Sequence, residues 1–303
     1  MEHTRNKVLI AVSGGPDSML LLHWAIEKYG RSNLVVASVN YKTRVESDSE
    51  IEFVKNFCSH KNIVFETRVC DRSSSKGNFE NWAREQRYLF FKELYDKYSC
   101  KILLTGHHKD DFIETALMQK ESGRNPMFFG IKSTNILFDM FVYRPFIDLY
   151  YKSEIISKLN QLNIDYCLDK TNFIPVYTRN KIRQKLSTLS TREKEKIYNE
   201  FVLINANKDW KKIKNVYKIW ANTEYSQDCF VDLGFKEQLI YKFVHENFQN
   251  INLSSSKIHS IIQWYCSANR TSKYLIKDSV WLVKKRGKLI YNLILNRKGN
   301  DER

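Results

Sequence analysis

Three polar clusters in this chain have residue types and spacings that could do chemistry. The first, Ser13-Gly14-Gly15-Pro16-Asp17-Ser18, follows the apolar run 8–12 and precedes a second apolar run, 19–26. Paired glycines let the backbone turn sharply and bring its N–H groups against a ligand with no Cβ between them. Loop N–H groups and the positive end of a following helix then face one point, which suits a phosphate or pyrophosphate. An isolated Ser-Gly-Gly would serve equally well as a turn in which Asp17 or Ser18 caps a helix. No Lys-Ser/Thr follows the glycines and no Gly-x-Gly-x-x-Gly is present, which excludes a Walker A loop and a dinucleotide fingerprint.

The second cluster is the run from Thr105 to Thr115, Thr-Gly-His-His-Lys-Asp-Asp-Phe-Ile-Glu-Thr. A helix starting at Asp110 places Asp110, Asp111 and Glu114 on one face, three and four residues apart. One or two acids in a first turn are explained by the helix dipole alone. Two adjacent histidines and three carboxylates exceed that need and point to cation handling, with hard oxygens that suit Mg²⁺. Adjacent histidines do not reproduce zinc spacing. The third cluster joins Asp169-Lys170-Thr171-Asn172 to Tyr177-Thr178-Arg179-Asn180-Lys181-Ile182-Arg183. Arg179 and Arg183, four apart, project together from a helix, and like charges at that spacing suit an anionic partner.

The elements that position these clusters alternate. Strands are expected at 8–12, 34–39, 63–69 and 101–105, and helices at 19–26, 48–60, 78–98 and 110–120. Such alternation implies an α/β fold, a doubly wound parallel sheet with right-handed crossovers and helices on both faces. Ligands then sit at the carboxyl ends of the strands where strand order reverses. Loops 13–18 and 106–111 each follow a strand and should meet there. Beyond a short strand at 141–144 and a helix at 152–162, the pattern from Thr188 onward is mainly helical. Trp210, Ile213, Tyr217 and Trp220 form a packing stripe. Strands at 274–283 and 288–295 flank Lys284-Lys285-Arg286-Gly287 as a hairpin.

At 303 residues, two domains are expected: a catalytic domain over 1–185 and a mainly helical, basic domain over 186–303. The net charge is +15, and the excess of positive over negative residues is nine in 186–303 against six in 1–185. A polyanion is the expected partner, held chiefly by the second region. No apolar run reaches membrane-spanning length, and a cytoplasmic protein with no membrane partner is expected. The six cysteines are scattered without a Cys-x-x-Cys pair, which speaks against a zinc ribbon or a thioredoxin-type centre.

The Ser-Gly-Gly-x-Asp-Ser hexad after a strand resembles the PP-loop of the N-type ATP pyrophosphatases, which split ATP between the α and β phosphates. Further segments narrow the likeness: Val39-Asn40-Tyr41 with Arg44, Ser47 and Glu50; the run Asn78–Tyr88 containing Arg84 and Arg87; the Gly-His-His-x-Asp-Asp-x-x-Glu-Thr run; Arg144-Pro145; and Asp-x-Thr-Asn with Tyr-x-Arg-Asn-x-x-Arg. This ordered set resembles the tRNA(Ile)-lysidine synthetases over the first 185 residues. Tyr41 stands where that family usually has His, and Lys120–Pro126 where it has an Arg-Gly-rich loop.

The resemblance implies a ligase that joins L-lysine to C2 of the wobble cytidine of an isoleucine tRNA with a CAU anticodon. ATP and Mg²⁺ would be consumed or bound, and an adenylated tRNA would be the intermediate. It implies phosphate binding by Ser13, Gly14, Gly15, Pro16, Asp17 and Ser18, with Asp17 also catalytic and a Mg²⁺ partner. The adenine would lie against backbone near 37–39. His107, Asp111 and Glu114 would orient lysine and handle its proton. Arg84 or Arg87, with Arg183, would neutralise phosphate charge, and Asn180 is a further candidate for substrate or phosphate contact. The nearest alternative is another PP-loop tRNA-modifying enzyme such as a thiolase, against which the scattered cysteines speak. An amidotransferase-linked synthetase would need a glutaminase region, and a basic RNA-binding protein with a relic ATP fold would not need all the loop hydroxyls.

Overall fold

A computed structural model describes residues 7–43, 46–70, 79–123, 126–168, 178–248, 251, 253–277 and 280–290, with backbone alone at 178–180. The chain divides into two units: Met1–Met118 with Gly130–Phe201, and Gln119–Phe129 with Val202–Arg303. The dividing points differ from the expected 185/186.

In the first unit, Val8–Ala11 forms β1, Leu34–Asn40 β2, Val64–Val69 β3, Ile102–Leu104 β4, Thr134–Leu137 β5 and Met140–Tyr143 β6. The sheet order is β3-β2-β1-β4-β6-β5. All pairings are parallel except β5 with β6, which is antiparallel. The expected doubly wound, mainly parallel sheet is present, with one antiparallel edge where Phe138 and Asp139, both at positive φ, turn the chain straight back on itself.

β1 lies at the centre because both of its faces are apolar. Val8 and Ile10 enter one core with Leu34, Val36 and Leu104, while Leu9 enters a second with Val35, Ala37 and Leu103. The first core is closed by α1 (Pro16–Tyr29), α2 (Ser47–Lys61) and α6 (Lys152–Gln161), through Leu21, Leu22, Val54, Cys58, Ile155 and Leu159. The second is closed by α3 (Phe79–Lys97), through Tyr88, Phe90, Phe91 and Leu94. From β1 the chain builds outward through β2 and β3, then returns to place β4 on the other side of β1. The strand order thus reverses between β1 and β4, and the loops leaving these two strands open on that point. The remaining helices with a bearing on the site are α4 (Lys109–Glu121), α5 (Phe146–Leu149), α7 (Thr178–Ser187) and α8 (Thr191–Asn207).

The second unit contains α9 (Trp210–Asn222), α10 (Gln227–Asp232), α11 (Lys236–Asn247) and α12 (Ser255–Tyr265). Its core gathers Trp220, Phe230, Phe243 and Tyr265, all fully buried. The α9 stripe is core packing at Ile213, Tyr217 and Trp220. Lys284 is also fully buried; its Nζ donates to the carbonyls of Trp264 and Tyr265 and to Ser267 Oγ, where α12 leaves its last carbonyls without helical partners. The expected hairpin, formed by β8 (Val280–Lys285) and β9 (Lys288–Ile290), is extended by β7 (Ser272–Lys277) into a three-stranded antiparallel sheet. The run expected as one strand is two. The second turn is the pair Arg286-Gly287, both at positive φ, which matches the twist of tight hairpins.

Candidate active site at the strand-order reversal

The loop after β1 is built by its own hydroxyls. Ser18 Oγ donates to Gly15 O at 2.9 Å and accepts from Ser13 N at 3.1 Å, and Gly15 N donates to Ser13 Oγ at 3.4 Å. Gly14 has φ +86°, a backbone conformation that strains any residue with a Cβ. Its own carbonyl accepts from Cys167 N at 2.9 Å. α1 then starts at Pro16, whose missing N–H costs nothing in a first turn, and Gly15 supplies no side-chain cap. The helix N-terminus is left to a ligand.

Gly106, after β4, closes on this loop. A Cβ at Gly106 would lie 3.1 Å from the backbone C and O of Asp17 and 3.3 Å from Ser18 N. The two loops enclose a cavity of about 250 Å³. Ser13, Asp17, His107 and Asp111 line its polar end, Val39, Tyr88 and Phe91 its apolar wall, and Tyr41 and Arg87 also border it.

The histidine–carboxylate run splits into groups with different charge states. Asp110 accepts from Lys194 Nζ at 2.7 Å and from the Lys152 backbone N–H at 2.8 Å. Burial works against its charge, but His108, Lys194 and the Lys152 N–H hold its carboxyl well below the usual range. His108 lies 3.7 Å from Asp17, 3.5 Å from Asp111 and 3.6 Å from Asp110. Burial disfavours the charged ring, yet the Asp111, Asp110 and Asp17 carboxylates outweigh it and raise its pKa. His107 behaves oppositely. Burial, with help from the Arg144, Arg87 and Arg84 guanidiniums, lowers it to about 4 against the pull of Asp111. Its Nδ1 sits 2.9 Å from Thr105 Oγ1. Asp111 is also held low, since His108, His107, the His108 N–H and Arg183 together overcome its burial. Burial thus works against a charge on the His107 ring, while the surrounding aspartates favour one on His108.

The arginines have separate settings. Arg183 Nε donates to Glu114 Oε2 at 2.6 Å; Glu114 is buried, and Arg183 is partly open to solvent. Burial opposes the charge on Arg183, but Glu114, Asp111 and Glu80 raise its pKa further. Arg84 is exposed, its guanidinium 4.7 Å over the Tyr88 ring. Arg144 is buried and holds the Lys132 carbonyl and Asn135 Oδ1, so it braces the β5–β6 edge. The Asn180 side chain, Arg44, Asn78 and the Asp169–Tyr177 segment lie outside the described residues.

Ser13, Gly15, Asp17, Ser18, His107, Asp111 and Arg87 thus border one cavity, and Glu114 follows Asp111 by three residues on α4. Two residues gain a place that the sequence did not give them. Lys152 Nζ donates to both Asp17 oxygens, at 2.6 and 2.7 Å. His108 lies among three aspartates, Asp17, Asp110 and Asp111. Among the described residues, no three His, Cys, Asp or Glu side chains are arranged to hold a metal by themselves. Asp17 and Asp111 nevertheless converge on His108 Nε2. Two carboxylates with a substrate phosphate are a sufficient donor set for Mg²⁺, which keeps several waters.

Residues 1–189 match the PP-loop domain family. The chain is 40% identical over 279 residues to the tRNA(Ile)-lysidine synthase of Mycoplasmopsis pulmonis, covering 91% of this chain and 96% of that protein. It is 35% identical to the tRNA(Ile)-lysidine synthase of Mesomycoplasma hyopneumoniae, covering 95% and 96%. Against the Ureaplasma parvum protein of the same name, identity is 33%, covering 98% and 90%. The U34-tRNA thiolase NcsA from Methanococcus maripaludis superposes with a TM-score of 0.55 at 17% identity, covering 67% of this chain and 73% of that one. That likeness is one of fold.

Proposed function

Because the chain belongs to the PP-loop tRNA(Ile)-lysidine synthase family, we propose that it joins free L-lysine to C2 of the wobble cytidine of an isoleucine tRNA with a CAU anticodon, at the expense of ATP. The observation that carries this reading is one cavity with a phosphate-type loop, a neutral imidazole and the half-buried Asp17 and Asp111 carboxylates at its polar end. The apolar wall of Val39, Tyr88 and Phe91 completes it.

Direct displacement of the cytosine C2 oxygen would expel a poor leaving group. In the first step that oxygen attacks the α phosphorus of ATP, the bond to the β phosphate breaks, and pyrophosphate leaves. The loop at 13–18 and the start of α1 receive the phosphates. Arg87 offsets the charge that develops on them. Mg²⁺, held by Asp17 and Asp111, would supply charge neutralisation at the phosphates. Lys152, which already grips Asp17, stands beside the same anions.

In the second step the lysine ε-amine attacks C2, the C2–O bond breaks and AMP leaves. A free amine of this kind has a pKa of about 10.4, so it needs a proton acceptor. His107, kept neutral by burial, accepts the proton that the amine nitrogen sheds as its bond to C2 forms, while His108 and Arg183 favour the charged form of Asp111. Asp111 and Glu114 orient the incoming ammonium, and Arg183 sets Glu114. Residues 186–303, with the larger charge surplus, hold the tRNA.

The test uses ATP labelled at the α phosphate, full-length protein and tRNA, without lysine. Label should move onto the tRNA and be chased off as AMP when unlabelled lysine is added. Absence of tRNA-bound label, with AMP formed only when lysine is present, would replace the adenylated-tRNA route.

A further inference from the structure

We propose that Tyr41, Phe79 and Trp82 form a second nucleobase site, a platform at the rim of the cavity that receives the ring of the target cytidine. This inference rests on the lysidine reading above. Tyr41 follows directly on β2, and Phe79 and Trp82 lie three apart on α3. The ring centroids are 6.0 Å apart for Tyr41 and Phe79, 6.2 Å for Tyr41 and Trp82, and 5.8 Å for Phe79 and Trp82. The Tyr41 hydroxyl donates to the Ala83 carbonyl at 2.8 Å, which pins its ring to α3.

All three rings are partly exposed, and none belongs to the apolar cores on the two faces of the sheet. Tyr41 borders the cavity together with Arg87, which continues the Phe79–Ala83 face of α3 at the next four-residue step. A packed aromatic group that the core does not use thus stands next to a cation at the mouth of a polar site.

The reaction brings two bases together. One is the adenine of ATP, for which the apolar wall of Val39, Tyr88 and Phe91 lies inside the cavity. The other is a cytosine that must turn out of its loop and lose its stacking neighbours. Aromatic side chains restore that stacking without reading sequence, and a nearby guanidinium suits the flanking phosphate. The rim platform matches the second base in chemistry and in place.

The experiment uses full-length protein and a tRNA carrying pyrrolo-cytosine, a fluorescent cytosine analogue quenched by stacking, at the wobble position. Wild-type protein should quench the probe. Trp82→Ala and Phe79→Ala should lose most of the quench and lower kcat/KM for unmodified tRNA by about ten- to a hundredfold, as loss of one base stack predicts. The KM for ATP and the melting temperature should stay at wild-type values, and Trp82→Phe should restore most of the quench.

A raised KM for ATP would assign the rings to adenine and overturn the proposal. So would full quenching by the alanine variants, or an activity loss that merely follows a fall in folded protein. Quenching by a wild-type protein that incorporates no lysine would sustain the platform and refute the lysidine reading. Lysine incorporation unaffected by both alanine variants would refute the platform alone.

Discussion

Replacing Gly106 by alanine should disturb the site through one contact. The new Cβ would sit 3.1 Å from the C and O of Asp17 and 3.3 Å from Ser18 N. All three neighbours are backbone at the start of α1, so no side chain can swing away. Relief requires the two loops to separate by a few tenths of an ångström. Overpacking of this kind costs about 1–3 kcal/mol. In a unit of this size that corresponds to a melting temperature lower by roughly 2–12 °C. The displaced atoms are the phosphate loop and Asp17. A 1 Å error in a reacting group costs about a hundredfold, so this smaller shift should slow AMP release roughly three- to tenfold. The assay is a thermal melt beside AMP release with saturating ATP, lysine and tRNA. Gly234→Ala is the control, since a Cβ there meets nothing within 4 Å, and it should match or slightly exceed wild-type stability. A Gly106→Ala protein with wild-type melting and AMP release would show that the loops are not held in register by this approach.

Asp17→Ala should abolish AMP formation yet change unfolding free energy by no more than about 1 kcal/mol, because its ion pair with Lys152 is partly solvated; AMP formation near the wild-type rate would remove Asp17 from the reaction. Asn205, buried in the second unit, accepts from Phe129 N at 2.8 Å and donates to Phe129 O at 2.9 Å. Asn205→Ala should therefore cost about 2 kcal/mol or more in urea unfolding, and a loss below half of that would mean the Gln119–Phe129 segment is held by other means. His23, whose Nε2 is buried without a hydrogen bond among the described residues, has its pKa lowered by burial and by Lys61. Its folded-state pKa lies below the unfolded value near 6.5, so the unfolded chain takes up the proton first and stability falls as pH drops below about 6.5. His23→Leu should flatten that fall between pH 7.5 and 5.5, and an unchanged slope would clear His23 of the effect.

What the sequence revealed was local. Val8–Ala11 is apolar on both faces and ends at two glycines, so a central strand and a tight phosphate-type loop could be read directly. The reversal of strand order followed from alternation, and it brought loops 13–18 and 106–111 together. β5 was not legible, because four residues with only alternate burial carry little signal and its antiparallel turn uses Phe138 and Asp139 rather than glycine. Lys152 was missed because its partner, Asp17, lies 135 residues away and nothing in its own helix marks it. The opposite pKa shifts of His107 and His108 were equally hidden. Adjacent in sequence, they differ by which carboxylates and guanidiniums the fold places around each. The aromatic rim needed Tyr41 and Trp82, far apart in the chain and on different elements, brought together, which spacing alone does not reveal.

The fold is shared with a tRNA thiolase, so the product decides between lysine and sulfur transfer. Full-length protein should be incubated with ATP, Mg²⁺, radiolabelled L-lysine and isoleucine tRNA bearing a CAU anticodon, and the tRNA digested to nucleosides. The account predicts one labelled nucleoside, cytidine bearing lysine through its side-chain nitrogen at C2, formed with AMP and pyrophosphate in equal amounts. An unlabelled tRNA, or a sulfur-containing nucleoside formed when a sulfur donor is supplied, would contradict it.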